Sequence, residues 1–327
     1  TQVRKEVKII PAQLKVVEHV SHIYACRHCE RSADETPIIN APLPAPVIPK
    51  SYASPSLVAY IMNQKFVEGL PLYRQEQQFA RLDYKLPRQN MANWLIYCAE
   101  NWLSPLYDRM RHHLLSLDHL HADETELQVL REPGRDAKTK SYMWLYRSGR
   151  YGPPIILYEY QPTRSSDHPR RFLTGFSGYL QVDGYVGYEG LPGVILVGCW
   201  AHARRKFDEA LKALPKDAEI SNTVAKQGLD FCTHLAAIEK RFHDVSPEER
   251  LAAREKFSKP IVDEFKAWLE AQAPRVLAKS TLGMAIQYCL NQWDKLEAFL
   301  KDGRLELDNN RIERSVKPFV MGRKAWL

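Results

Sequence analysis

Two short apolar runs in this chain of 327 residues each deliver an aspartate. Residues 116–130 read SLDHLHADETELQVL, with Asp123 in the middle, and residues 179–185 read YLQVDGY, where Gly184 lets the chain turn sharply after Asp183. A carboxylate carried on a half-buried strand needs a compensating partner, and a divalent metal ion is the strongest one available. Taken alone, Asp-Glu-Thr is equally compatible with a solvated acidic turn. The tetrapeptide ADET occurs a second time at residues 33–36, before Pro37 and with no apolar strand leading into it. The strand context therefore carries the signal, and two strands each ending in an aspartate carry more of it than one. A third acidic candidate, Glu313, lies in LDNNRIERSVKP, where Asn309, Glu313 and Lys317 share a helix face at i, i+4 and i+8.

Two further groupings could hold a metal by residue type. Cys26-Arg27-His28-Cys29 is half of a tetrahedral zinc site, with His22 a candidate third ligand. The competing reading is two free thiols in a loop. Cys199 and His202 form a C-x-x-H at the start of a helix, a placement that reads as packing and backbone hydrogen bonding rather than ligation.

The elements that must position these residues follow from periodicity. Val3, Val7, Ile9, Leu14, Val16 and Val17 alternate in a strand-like way, and prolines recurring from Pro37 to Pro49 make a linker that is neither helix nor central strand. Residues 51–115 read as three or four amphipathic helices, broken at Gly69-Leu70-Pro71 and Leu86-Pro87. A helix, a short turn and a second helix starting near Arg88 can present side chains to a major groove, and Lys65, Arg74, Arg81, Lys85 and Arg88 occupy the polar positions. The plain alternative is a helical cap with a solvated basic face. The Asp123 strand, Ser141–Arg147 and Pro154–Tyr160 are spaced as three antiparallel strands. A short helix at 169–173, the Asp183 strand and an apolar strand at Val194–Val197 follow. From Ala203 to about Leu300 the pattern is helical, with a loop near Ser246-Pro247, and Asp308–Asn310 supply N-cap chemistry for the closing helix.

Bulk composition narrows the class. The length admits two or three domains. A formal net charge of +7 and a pI near 9.0 favour a polyanionic partner. No apolar run can span a bilayer and the start shows no signal-peptide pattern, which predicts a soluble, intracellular protein. Six scattered cysteines read as reduced, packed thiols and exclude a disulfide framework.

The strings HADET, QVDGY, GCWAHARRKF and DNNRIERSVKPFVMGRKAWL, in that order, resemble the TnpC-type transposases of the insertion sequence sixty-six family, bacterial enzymes of the Asp-Asp-Glu class. PLYRQEQQFARLDYKLPRQNMANWL resembles that family's helical region, so the resemblance covers nearly the whole chain. It implies an α/β fold: a ribonuclease-H-like mixed sheet core at residues 117–327, with a large helical insertion at about 203–303. Ahead of it the resemblance implies a partial zinc-ribbon-like segment at 1–36, a proline-rich linker at 37–50 and a helix-turn-helix-like DNA-binding region at 51–116. Carried over residue by residue, the catalytic and metal-holding carboxylates are Asp123, Asp183 and Glu313. Glu306 and Asp308 are the nearest rivals to Glu313, but they precede the Asn-Asn pair of the motif. The implied cofactor is Mg2+ or Mn2+, two cations separating carboxylates that would otherwise repel one another. Zn2+ at Cys26 and Cys29 requires the other half-site, because the family's leucine zipper and first zinc knuckle are missing here and its chain continues beyond Leu327. Expected DNA contacts are Arg74, Arg81, Lys85, Arg88, Arg311, Arg314, Lys317, Arg323 and Lys324. The implied activity is metal-dependent transposon-end cleavage and strand transfer, with transposon-end and target DNA, further copies of the chain and accessory proteins of the same element as partners. The implied location is the bacterial cytoplasm, at the nucleoid and away from any membrane. Two other readings stand beside it: a catalytically silent DNA-binding or assembly fragment, and a structure-selective nuclease on the same fold.

Overall fold

The computed structural model describes residues 3–9, 13–32, 35–215 and 219–324, and the chain divides after Ser104 into two units. The second ADET copy falls partly outside the described residues, at Ala33 and Asp34. Residues 325–327 also lie outside them.

In the first unit, β1 (Ile23–Ala25) and β2 (Ile38–Asn40) pair antiparallel around the short α1 (Cys29–Ser32). The strands predicted ahead of β1 are not formed among the described residues. Val3, Val7, Val16 and Val17 are 70–98% exposed. Alternation becomes a strand only where a neighbour takes the backbone hydrogen bonds and one face is covered, and nothing covers these. β2 occupies part of the proline-rich stretch, as one edge of a two-stranded ribbon. The expected helices follow: α2 (Pro55–Phe66), α3 (Leu72–Ala80) and α4 (Arg88–Cys98). Ser54 caps α2 by accepting the Leu57 N–H at 3.2 Å, and Pro55 sits where a missing N–H costs nothing. Gly69, at φ +66°, makes the turn into α3, and Pro71 and Pro87 start the next two helices. Ile61, Phe79, Leu86, Met91 and Trp94 form the shared core. A π turn at Ala99–Leu103 leads from α4 to α5 (Ser104–Leu115).

The second unit is built on a five-stranded mixed sheet in the order β5-β4-β3-β6-β7. β3 (His119–Gln128), β4 (Lys140–Ser148) and β5 (Ile156–Gln161) are the expected antiparallel meander. Beyond α6 (Asp167–Phe172), β6 (Gly178–Gln181) and β7 (Val194–Val197) run parallel to β3 and to each other. β6 stops short of the aspartate that sequence reading placed on it. Asp183 lies in the turn past the strand, where its Oδ1 accepts the Tyr185 N–H at 3.1 Å and Gly184 adopts φ +100°. That side-chain-to-backbone turn replaces the ladder. Leu120, Ala122, Trp144, Tyr146, Phe172, Leu180 and Tyr188 fill one face of the sheet.

The helical block contains α7 (Trp200–Lys212), α8 (Val224–Arg241), α9 (Pro247–Ala253), α10 (Lys259–Gln272), α11 (Thr281–Asn291) and α12 (Trp293–Glu297). Its core gathers Trp200, Phe207, Phe265, Trp293 and Phe299. α7 and α8 approach so closely at Gly228 that a Cβ there would lie 2.4 Å from the Phe207 ring. The block leaves and rejoins the sheet at one place, where the Trp200 N–H donates to Leu307 O at 3.1 Å. The chain then enters α13 (Asn310–Gly322), whose Ile312 is fully buried. No described helix is long and apolar enough to cross a membrane.

The return segment is tied down by Arg254, whose side chain is 1% exposed. It donates to both Glu239 carboxylate oxygens at 2.7 Å and to Phe299 O, Asp302 O and Leu305 O at 2.7–2.9 Å. Removing one partner of such a buried pair leaves the other uncompensated. Arg254→Met should therefore lower stability by about 3–5 kcal/mol in urea denaturation. A loss under about 1 kcal/mol would mean that water reaches and solvates Glu239.

Candidate functional site

Because side chains alternate along a strand, β3 presents two chemistries. Leu120, Ala122 and Glu124 point into the sheet core, while His119, His121, Asp123 and Thr125 point to the other face. Glu124 is compensated: Tyr188 OH donates to it at 2.7 Å and Arg164 Nε at 2.9 Å. Burial raises its pKa, and those donors pull the other way. Among the described residues no cation is paired with Asp123. Its Oδ1 accepts only the Glu124 N–H, at 2.8 Å. Burial first, then the charges of Glu124, Asp183 and Glu313, push Asp123 up to about 8.

Asp183 reaches the same region from the turn after β6. Tyr288 OH on α11 donates to its carbonyl at 3.2 Å, and a Cβ on Gly184 would press on Gln292 and Tyr288 at 3.3–3.4 Å. Glu313 comes from the first turn of α13, its side chain 32% exposed and Oε1 4.0 Å from His202 Nε2.

What holds α13 to the sheet is a row of polar side chains across three strands. His121 on β3 is in register with Arg147 on β4 and Gln181 on β6. Arg147 Nη1 donates to Arg311 O at 3.0 Å and to Ser315 Oγ at 2.7 Å. Gln181 Nε2 donates to Glu306 O and Asp308 O, and its Oε1 accepts the Glu306 N–H at 3.3 Å. His121 Nδ1 lies 2.8 Å from Asn309 Oδ1, and Asn309 Nδ2 donates to Ala122 O at 3.2 Å. Asn309, fully buried, therefore grips the residue before Asp123 and caps nothing in its own helix.

The rivals of Glu313 are engaged elsewhere. Burial would raise Glu306, but hydrogen bonds from His121 and Arg311 hold it down at about 2. Asp308 accepts the Asn310 N–H at 3.0 Å and Asn310 Nδ2 at 2.7 Å, the capping expected of this segment.

Sequence reading did not assign His121, Gln181 or Arg147. A signal was present: His121 and Gln181 each stand two residues before an aspartate, where period-2 alternation puts a polar side chain on the aspartate-bearing face. Cys199 and His202 also sit closer to the acidic residues than expected. Cys199 Sγ, a His202 nitrogen and a Glu313 oxygen lie within 4.8 Å of one another. Cys199 Sγ accepts the Asn309 N–H at 3.2 Å, and burial pushes the thiol up to about 11. Burial also lowers His202, helped by Arg205 and opposed by Asp183 and Glu313.

Of the basic residues on or near α13, Arg311 pairs with Glu306, and Arg323 donates to Glu126 O and to Thr125 Oγ1. Both are turned inward. Arg314, Lys317 and Lys324 are exposed. In the first unit Arg74, Arg81, Lys85 and Arg88 are all exposed, Arg88 lying 5.7 Å from the Tyr73 ring centre. Cys26 is exposed and Cys29 half-buried beside it, with the Cys26 thiol lowered by hydrogen bonds from Cys29 and His28. Among the described residues no further His, Cys, Asp or Glu completes a cluster around this pair.

Comparison with known families decides the affiliation. Residues 50–327 match the model described as Transposase IS66 family, and residues 1–30 match the zinc-finger binding domain of transposase IS66. The chain belongs to the IS66 transposase family. Two relatives come from Sinorhizobium fredii (strain NBRC 101917 / NGR234). The one named Uncharacterized protein y4jD is 35% identical over 332 residues, covering 97% of this chain and 62% of its own length. Uncharacterized protein y4hP is 32% identical over 336 residues, covering 97% and 59%. This IS66 family chain thus spans about three fifths of the length of the curated relatives it matches.

The position of Asp123 has a measurable signature in the IS66 chain without added metal. A carboxyl whose folded pKa is raised, here from 3.8 to about 8, leaves stability intact below the unfolded value and removes it as pH rises through the folded one. Asp123→Asn mimics the protonated form. Thermal melts in EDTA should show wild type and variant alike near pH 4, with wild type progressively less stable toward pH 8. Parallel curves across that range would remove the like-charge account.

Proposed function

We propose that this chain carries the DNA-binding and catalytic parts of a transposase, with Asp123, Asp183 and Glu313 as a divalent-cation centre that cleaves transposon ends and joins them to target DNA. The observation carrying it is the setting of Asp123, a buried carboxylate that accepts one backbone N–H and, among the described residues, has no cation paired with it, whereas Glu124 is paired with Arg164 and Glu306 with Arg311. The donor set fits a hard cation by type: three carboxylates, all oxygen. Support for a ribonuclease-H-like core comes from the sheet order, with three antiparallel strands, two parallel ones and a late helix carrying Glu313 against β3.

A bound Mg2+ or Mn2+ pair supplies activation of the attacking oxygen and stabilisation of the leaving one. The remaining work belongs to the chain. Asp123 is held by the β3 ladder, Asp183 by its turn against Tyr288, and Glu313 by the Asn309 clamp, and the three carboxylates would draw together on binding cations. Arg314, Lys317 and Lys324 offer phosphate contacts beside Glu313, and the exposed bases of residues 51–116 offer them on the helix-turn-helix-like region. Residues 1–36 are read as the remaining half of a zinc ribbon, with Cys26 and Cys29 as its two thiols. Further copies of the chain on DNA and accessory proteins of the same element belong to this reading.

Asp123→Asn, Asp183→Asn and Glu313→Gln should each abolish Mg2+-dependent cleavage of end DNA, by roughly 10³-fold or more, and leave DNA affinity within a few-fold. A variant that still cuts would overturn the assignment of that residue. A wild-type chain that binds DNA but never cuts would favour the silent-fragment reading. DNA affinity itself should fall steeply with salt, by on the order of 10³-fold between 50 and 200 mM if about six phosphates are engaged. Affinity independent of salt would exclude the exposed bases as the contact surface.

A further inference from the structure

His202 stands where neither half of its imidazole finds a hydrogen-bond partner. Nδ1 is buried and unpartnered, and Nε2 faces Glu313 Oε1 across 4.0 Å, too far for a hydrogen bond. Buried ring nitrogens are nearly always satisfied, so the unpartnered Nδ1 needs an account, while Nε2 lies on a side chain that is 21% exposed. The gap has a suitable width. Two donors at about 2.1 Å from one ion lie about 3.0 Å apart in adjacent positions and about 4.2 Å apart in opposite ones.

The backbone aims this ring deliberately. Trp200 anchors the first turn of α7 through its N–H to Leu307 O and its indole Nε1–H to Leu296 O at 2.8 Å. That sets His202 against Glu313, with the charge of Asp183 also felt at the ring, while Cys199, which completes the cluster by distance, is already occupied as the acceptor of the Asn309 N–H. We propose that His202 is a ligand of the cation held by Asp183 and Glu313, adding one nitrogen donor to an otherwise all-oxygen centre. The inference rests on the acidic-centre reading above and goes beyond it in donor type. An imidazole ligand favours Mn2+ over Mg2+.

The experiment uses Mn2+ as probe on the whole chain, with and without duplex DNA, read by electron spin echo spectroscopy and by binding titration. Wild type should show a directly coordinated ¹⁴N signal that disappears in His202→Gln. In that variant Mn2+ affinity should fall roughly tenfold or more while Mg2+ affinity changes less, a split that a purely structural role would not produce. Cys199→Ser should keep the nitrogen signal. Mn2+ binding that is lost in Asp183→Asn yet carries no nitrogen signal, or one that survives His202→Gln, overturns this inference alone. Loss of Mn2+ in Cys199→Ser with Asp183→Asn unaffected would put the ion in a Cys-His-Glu cluster and also overturn it. Absence of Mn2+ binding in wild type, with and without DNA, overturns the acidic-centre reading and this inference together.

Discussion

Three carboxylates near the middle of the sheet meet three different fates, and the second unit is arranged around the difference. Glu124 is buried in the core and matched by Arg164 and Tyr188. Glu306 is buried and matched by His121 and Arg311, so that it stays ionised down to about pH 2. Asp123, on the face of β3 opposite Glu124, accepts one backbone N–H, has no cation paired with it among the described residues and is surrounded by charge of its own sign. A fold that supplies partners for the first two and withholds one from the third leaves an electrostatic deficit at one point. Desolvation makes that deficit large, because the same charges in water would scarcely interact.

Keeping such a point in place requires force from outside it. The row Arg147, His121 and Gln181 grips the segment running from Glu306 into α13, and Asn309 closes the grip on Ala122. The helical block adds Tyr288 on α11, which donates to the Asp183 carbonyl. It departs and returns through the contact of Trp200 with Leu307, and Arg254 fastens the returning strand of chain. With entry and exit pinned, the size of the block has little influence on where Glu313 lands.

Much of this was legible in the sequence where local pattern decides the outcome. The meander, the helices broken at Gly69 and Pro87, and the helical run after Ala203 follow from periodicity and turn residues. The pattern failed where tertiary context or a competing turn decides. Val3 to Val17 alternate without a partner strand. β6 yields to the side-chain turn at Asp183. Asn309 has the composition of a cap, but its partners are a histidine and a carbonyl 188 and 187 positions away, which no local rule reaches. The residues two positions before each aspartate were readable, because alternation alone puts them on the aspartates' face. The empty surroundings of His202 are visible only once α7 and α13 are brought together.

That separation of Asn309 from Ala122, 187 residues along the chain, also orders events in time. At roughly 5–20 residues per second, ribosomal synthesis separates the two by on the order of 10–40 s. During that interval the growing polypeptide has Asp123 and Asp183 but neither the clamp nor Glu313, and a contact of such long range forms late even in a finished chain. The Asn309 clamp thus closes late in the folding of the second unit.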